Sequence, residues 1–199
     1  MAVFVFGAVS LLLFSFAIGP DARALRLYAG GFLWLAVLLG STLALAETFA
    51  LETEQGALEG MLLLPIPART MFYAKAIANC LQLFLLGLFL LPMMVVLYDA
   101  GTDRIVMLVL ILLLGAGGLA APGTLYGAMV AQARARGALL PILLFPLVVP
   151  VLLAAVKASS LVIVGDPMGQ TRSWLVLLTA FNAIYWSLCG LLFPRVIEE

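Results

Sequence analysis

The sequence predicts an all-α polytopic membrane protein with six transmembrane helices in a single domain, residues 1–199. Of the 199 residues, 65% are hydrophobic and only 10% are charged, with a mean hydropathy of +1.23. The charges are concentrated in short stretches between long apolar runs. A soluble domain of this size needs a far more polar exterior. A spanning helix needs about 20 predominantly apolar residues, and the runs approach or reach that length.

Proline and glycine set several of the expected helix boundaries. The first apolar run stops at Gly19-Pro20-Asp21, and we expect its cytoplasmic lead-in to be missing or to begin upstream of Met1. The fifth carries three prolines, so we expect it to be bent or locally unwound. We expect Leu161–Val164 to be too short to span and to lie at the membrane interface. The expected spans are about 3–18, 28–46, 74–98, 105–131, 138–156 and 174–193.

No residue pattern indicates an enzyme. The chain has no histidine, no nucleotide-binding or metalloprotease motif and no nucleophile elbow, so we predict no catalytic, cofactor-binding or metal-binding residues. Cys80 and Cys189 could form a redox pair or a thiolate site, or be two small buried hydrophobes. The formal net charge is zero and no basic patch is present, which argues against nucleic-acid binding.

A segment between the second and third spans, residues 47–75, carries an unusual concentration of charge. Within it, Leu58, Met61 and Leu62 share one face of a short helix, and Glu59 lies in its first turn, where the helix dipole favours negative charge. We predict that this short helix docks onto a partner. Glu47, Glu52 and Glu54 could bind a cation or a basic partner, or could be solvated charges that extend the second span. The predicted docking residues are Leu58, Glu59, Met61, Leu62, Leu63, Pro65 and Pro67.

Small residues and prolines inside the spans are predicted to allow close helix packing or to act as hinges. These residues are Gly115, Gly117, Gly118, Pro122, Gly123, Pro146 and Pro150. We also expect Gln82, within the third span, to be an interhelical hydrogen-bond partner. Lys and Arg are divided five against five between the two sides of a six-span topology, so charge alone leaves the orientation open.

Three stretches carry a resemblance to a known family. They are Leu58–Pro67 with Ala74-Lys75; Leu119–Gly123 with Arg136–Pro141 and Phe145–Pro150; and Phe16–Pro20 at the end of the first span. Together they resemble the haem exporter protein B (CcmB) family, the permease-like membrane subunit of the cytochrome c maturation ABC transporter. The match covers most of the chain in order.

This resemblance implies a six-span ABC-2-type permease fold in a prokaryotic inner membrane, with both termini cytoplasmic. The segment between helices 2 and 3 would be a coupling helix received by the ATPase subunit CcmA. It also implies a complex with CcmC and CcmD that serves the haem chaperone CcmE, with two copies or a hetero-oligomer around an ATPase dimer. Haem would be transported or handled rather than firmly bound. The resemblance also implies an amphipathic lead-in before span one, which we expect to be missing here or to begin upstream of Met1. The alternatives are a non-transporting scaffold for haem-handling partners and an ABC-2 permease for another lipophilic substrate.

Overall fold

The computed structural model describes residues 2–47, 67–101, 104–131 and 136–198, and all regular secondary structure in this part of the chain is α-helical. Five of its helices are long and apolar enough to cross a membrane, whereas α1 is a shorter apolar helix of 17 residues. The predicted all-α architecture is therefore confirmed. The helices are α1 (Ala2–Ile18), α2 (Ala22–Glu47), α3 (Ala68–Leu97), α4 (Ile105–Val130), α5 (Arg136–Val164) and α6 (Thr171–Glu198).

Helix α4 lies at the centre of the bundle. It packs against α2, α3, α5 and α6, while α1 packs against α2 and α3. The stretch from Gly115 to Leu125 is buried throughout. Because this stretch is rich in glycine and alanine, neighbouring helices can approach its backbone closely. Because of this central position, α4 is in contact with four of the five other described helices.

Large side chains of neighbouring helices occupy the space beside the glycines of α4. A Cβ at Gly115 would overlap the Trp34 ring of α2, and one at Gly118 would overlap Val151 of α5. The Trp34 ring is held in place because its Nε1 donates a hydrogen bond to Ser159 Oγ on α5 at 3.0 Å. The close packing of α2, α4 and α5 thus depends on glycine at these positions.

Helix α5 differs from expectation. It is continuous from Arg136 to Val164, through all three of its prolines, so Leu161–Val164 is its last turn and not a separate interfacial piece. Lys157 suggested an end to the span, but its side chain is exposed on the outside of the bundle. A lysine in that position can extend its ammonium towards the membrane surface while its helix continues.

The two ends of the bundle are distinguished by which helices begin and end there. At the end that we call proximal, α2 ends, α3 begins, and α4 and α6 end. At the opposite, distal end, the Asp21 carboxylate accepts hydrogen bonds from the backbone amides of Arg23 and Ala24 and caps α2. Arg26 forms an ion pair with Asp99, which follows α3. The distal connections are therefore fastened by local polar contacts.

Candidate functional site

The predicted docking residues other than Pro67 lie outside the described part of the chain, as do Glu52 and Glu54. Pro67 is exposed and has φ −58° and ψ 132°, an extended conformation that precedes α3. Its carbonyl accepts hydrogen bonds from the backbone amides of Thr70 and Met71, at 2.9 and 3.4 Å. Pro67 therefore marks the start of α3, and the docking role remains a prediction.

The helices on either side of this segment, α2 and α3, converge on one stretch of α4. Near the end of α2, the buried Leu45 lies against Gly123. In α3, the buried Asn79 donates a hydrogen bond from Nδ2 to Thr124 Oγ1 at 2.8 Å. Immediately before these two contact positions is Pro122, which has no N–H and leaves the carbonyl of Gly118 without its usual helical donor. A displacement of α2 or α3 would therefore act on α4 at the point where one of its backbone hydrogen bonds is missing.

A second hydrophobic cluster, separate from the main core, joins the start of α3 to the ends of α4 and α6. At its centre the Phe72 and Phe193 rings, both fully buried, have centroids 5.3 Å apart. This proximal cluster fixes the first turns of α3 against two other helices. Its buried members are Phe72, Ala76, Ala121, Leu125, Ala131, Cys189 and Phe193.

Aromatic and amide groups extend this contact along α6. The Tyr73 ring stacks on Trp186 with centroids 6.4 Å apart, and Gly190 leaves room for the Tyr73 hydroxyl. Trp186 Nε1 donates a hydrogen bond to the Gly117 carbonyl at 3.1 Å, and Asn182 Nδ2 donates one to the Leu114 carbonyl at 2.8 Å. Helix α6 is thus fastened to the backbone of α4 at two points before Pro122.

The expected role of Gln82 is wrong, because its side chain is exposed. Besides the two tryptophans described above, Asn79, Thr124 and Asn182 make interhelical hydrogen bonds, and sequence reasoning did not single out these three residues. A polar amide within a spanning run is a signal that includes the two asparagines, since such groups usually face the bundle interior, but it includes the exposed Gln82 as well.

The prolines and glycines predicted as packing or hinge residues divide into two groups. Pro146 and Pro150 are exposed on one face of α5, one turn apart. The members on α4 are buried at helix contacts, as described above for Gly115, Gly118 and Gly123; a Cβ at Gly117 would meet Asn182. Their role as hinges stays a prediction.

Cys80 and Cys189 are both free thiols, on α3 and α6. Across the described ranges, no three His, Cys, Asp or Glu side chains lie together as a metal site would require. The contacts described above between the helices are hydrogen bonds and apolar packing.

Comparison with known proteins identifies close relatives over most of the chain. Heme exporter protein B of Pseudomonas aeruginosa is 32% identical over 176 residues, which cover 88% of this chain and 79% of that protein. The protein of the same name from Rhodobacter capsulatus is 34% identical over 148 residues, 74% of this chain and 68% of the relative. The Bradyrhizobium diazoefficiens protein is 32% identical over 181 residues, 91% and 76% respectively. A family model described as CcmB protein matches residues 1–198, and the chain therefore belongs to the CcmB family.

Proposed function

We propose that this chain is the multi-pass inner-membrane subunit of a haem exporter that serves c-type cytochrome biogenesis. Its family membership and the names of its relatives support this function. One structural observation supports the mode of action. The two helices that flank residues 48–66 both contact α4 beside Pro122, through Leu45 and Gly123 on one side and through Asn79 and Thr124 on the other.

In this proposal α1 is the first of six spans in an ABC-2-type fold, with both termini cytoplasmic. A helix of 17 residues is about 25 Å long, slightly less than the roughly 30 Å of the hydrocarbon core. Residues 47–75 then lie in the cytoplasm as the coupling segment, and an ATPase subunit resembling CcmA receives them. Subunits resembling CcmC and CcmD complete the complex, and a chaperone resembling CcmE takes up haem outside the membrane.

The chain acts as a passive transmission element. ATP binding by the partner moves the coupling segment, and α2 and α3 carry the movement to α4. The backbone hydrogen bond that is missing at Pro122 allows the two halves of α4 to tilt relative to one another, because one bond fewer joins them. Because α6 is hydrogen-bonded to α4, it moves together with α4, and the packing of the helices along the route that haem takes changes. Haem is the molecule that is transported or handled. This chain has no histidine to coordinate the haem iron and does not bind haem firmly.

The test replaces residues on the predicted docking helix. Leu62→Asp or Glu59→Lys should abolish co-purification of the ATPase subunit, because the first places a charge on the apolar docking face and the second reverses the charge of the first turn. Insertion of the chain into membranes should be unchanged. Arg195→Gln, an exposed residue at the same end of the bundle, is the control and should retain the ATPase.

Undiminished ATPase yield with both docking variants would overturn the coupling role. Haem delivery to the chaperone should fall in parallel with ATPase association. Delivery that continues without the ATPase would indicate a scaffold, and ATP-dependent export of another lipophilic compound would indicate a different substrate.

A further inference from the structure

A cavity of about 410 Å³ opens at the distal end of the bundle, between the start of α2 and the end of α5. It lies at the opposite end from the coupling segment, and none of its lining residues takes part in the contacts with α4 described above. Its lining residues are Ala22, Arg23, Arg26, Leu27 and Val164.

The polar wall of this cavity is cationic. Arg23 and Arg26 are three residues apart in the first turns of α2 and so share one face of the helix. Arg26 is fixed in place, since its Nε donates a hydrogen bond to the Asp99 carbonyl at 2.9 Å and its guanidinium pairs with the Asp99 carboxylate. The Arg23 guanidinium pairs with no carboxylate in the described part of the chain. The nearby Asp21 carboxylate is engaged by backbone amides of α2.

A third cation lies on α5. Lys157 precedes Val164 by seven residues, so it faces nearly the same direction about 10 Å further into the membrane. Its side chain is exposed on the outer surface of the bundle. An ammonium in that position extends towards the nearer membrane surface, here the distal one, and adds positive potential below the cavity.

The apolar wall faces outwards. Leu27 is 51% exposed and Val164 is 54% exposed, on either side of the opening. Surfaces of this kind meet acyl chains when the helices are in a bilayer. A ligand complementary to both walls has an anionic group at the level of the two arginines and a flexible apolar chain that lies along the helices.

We infer that this cavity binds the phosphate of an anionic phospholipid, such as phosphatidylglycerol, from the leaflet at the distal end. One guanidinium group can donate two parallel hydrogen bonds to two oxygens of a phosphate, and basic pockets beside transmembrane helices bind anionic headgroups. The bound lipid would bridge α2 and α5 at the end opposite the coupling segment. The carboxylates of haem share the anionic character, but haem is a rigid planar ring, whereas the exposed side chains of Leu27 and Val164 are of the kind that meet flexible acyl chains in a bilayer.

The experiment reconstitutes the full chain with its partner subunits into bilayers of equal phosphatidylglycerol and phosphatidylethanolamine. Native mass spectrometry after extraction counts the retained lipid. The unaltered protein should retain phosphatidylglycerol in preference to phosphatidylethanolamine. Arg23→Gln should weaken this retention about tenfold, since a charge-assisted contact to phosphate is lost. Arg23→Lys should recover part of it. Arg104→Gln, which removes an exposed arginine at the same end of the bundle, is the matched control.

A second variant moves the result in the opposite direction. Asp99→Asn removes the carboxylate that competes for Arg26 but keeps the backbone carbonyl that positions it, so phosphatidylglycerol retention should rise. Equal retention by Arg23→Gln and the unaltered protein, or no preference over phosphatidylethanolamine, would overturn the inference. Displacement of the lipid by inorganic phosphate alone, or by haem with a Soret band that Arg23→Gln abolishes, would also overturn it. None of these readouts depends on ATPase association, so failure here is distinguishable from failure of the proposed function.

Discussion

Asn79 donates a hydrogen bond to the Thr124 hydroxyl across the interface of α3 and α4, and that hydroxyl in turn donates to the Ala120 carbonyl at 2.7 Å. Both side chains are buried. The bond therefore ties α3 to the turn of α4 that contains Pro122. Any movement of the start of α3 acts on α4 through this bond and through the proximal cluster.

Replacing Asn79 with leucine should destabilise the protein by about 0.5–2 kcal/mol, the range for interhelical hydrogen bonds in membranes. The loss comes from the bond itself and from the Thr124 hydroxyl, which loses one partner in a buried site. Unfolding in mixed micelles measures the effect. Gln82→Leu on the same helix is the matched control, because Gln82 is exposed and its replacement should leave stability nearly unchanged. Equal effects of the two substitutions would contradict the role given to Asn79.

The proximal cluster predicts a variant that separates ATPase binding from haem delivery. Phe72→Leu removes the ring contact with Phe193 while α3 and its apolar character remain. We expect ATPase co-purification to be retained and haem delivery to the chaperone to fall severalfold, because the start of α3 would move without α6. Phe89→Leu is the control, since that ring is 46% exposed and its ring contact is with Phe4 of α1, not with α6. Parallel loss of ATPase binding and haem delivery in Phe72→Leu would show that the cluster supports docking instead.

Composition and apolar run length were sufficient to predict the all-α architecture, because a bilayer permits few alternatives to helices. The limits of α5 were not predictable in the same way. The expected span ended at residue 156, just before Lys157, and its three prolines were expected to bend or unwind it. A lysine on an outer face and prolines whose missing hydrogen bonds are tolerated nevertheless allow the helix to continue. Which face a residue occupies depends on neighbours that are distant in the chain.

The buried polar contacts could not be predicted from the local sequence either, because their partners are distant in the chain. Asn79 and Thr124 are 45 residues apart, and Trp34 and Ser159 are 125 apart. Nothing in the local pattern around Gln82 or Asn79 shows which of them faces a partner, since both lie in one apolar run. The glycines of α4 were recognisable as small residues, but the side chains that lie against them come from α2, α5 and α6.

The turn after α3 depends on a residue with positive φ. Asp99 has φ 49°, a conformation that aspartate, asparagine and glycine adopt more readily than β-branched residues. Asp99→Asn should therefore cost less than about 1 kcal/mol, the value of an exposed ion pair. Asp99→Val should cost about 1–2 kcal/mol more, because it adds backbone strain to the loss of the pair. Thermal unfolding in detergent compares the two, and identical values would contradict the strain argument.

The packing of α2 against α4 provides the last prediction. Gly115→Ala places a methyl group where the Trp34 ring lies, and this ring cannot turn away easily because it is fully buried and bonded to Ser159. We expect a loss of about 1–3 kcal/mol, as for other overpacked cores. Gly31→Ala is a matched control on α2, because the nearest atom to its Cβ would be 4.0 Å away, in ordinary contact.

Unfolding and tryptophan fluorescence measure both variants. The Gly31 variant should be unchanged or slightly more stable, since alanine favours the helix. In the Gly115 variant, Trp34 should move from its buried position and its emission should change. If Gly115→Ala were as stable as the unaltered protein and its emission the same, α2 and α4 would not be in the close contact described, and the route from the coupling segment through α2 to α4 would lose its basis.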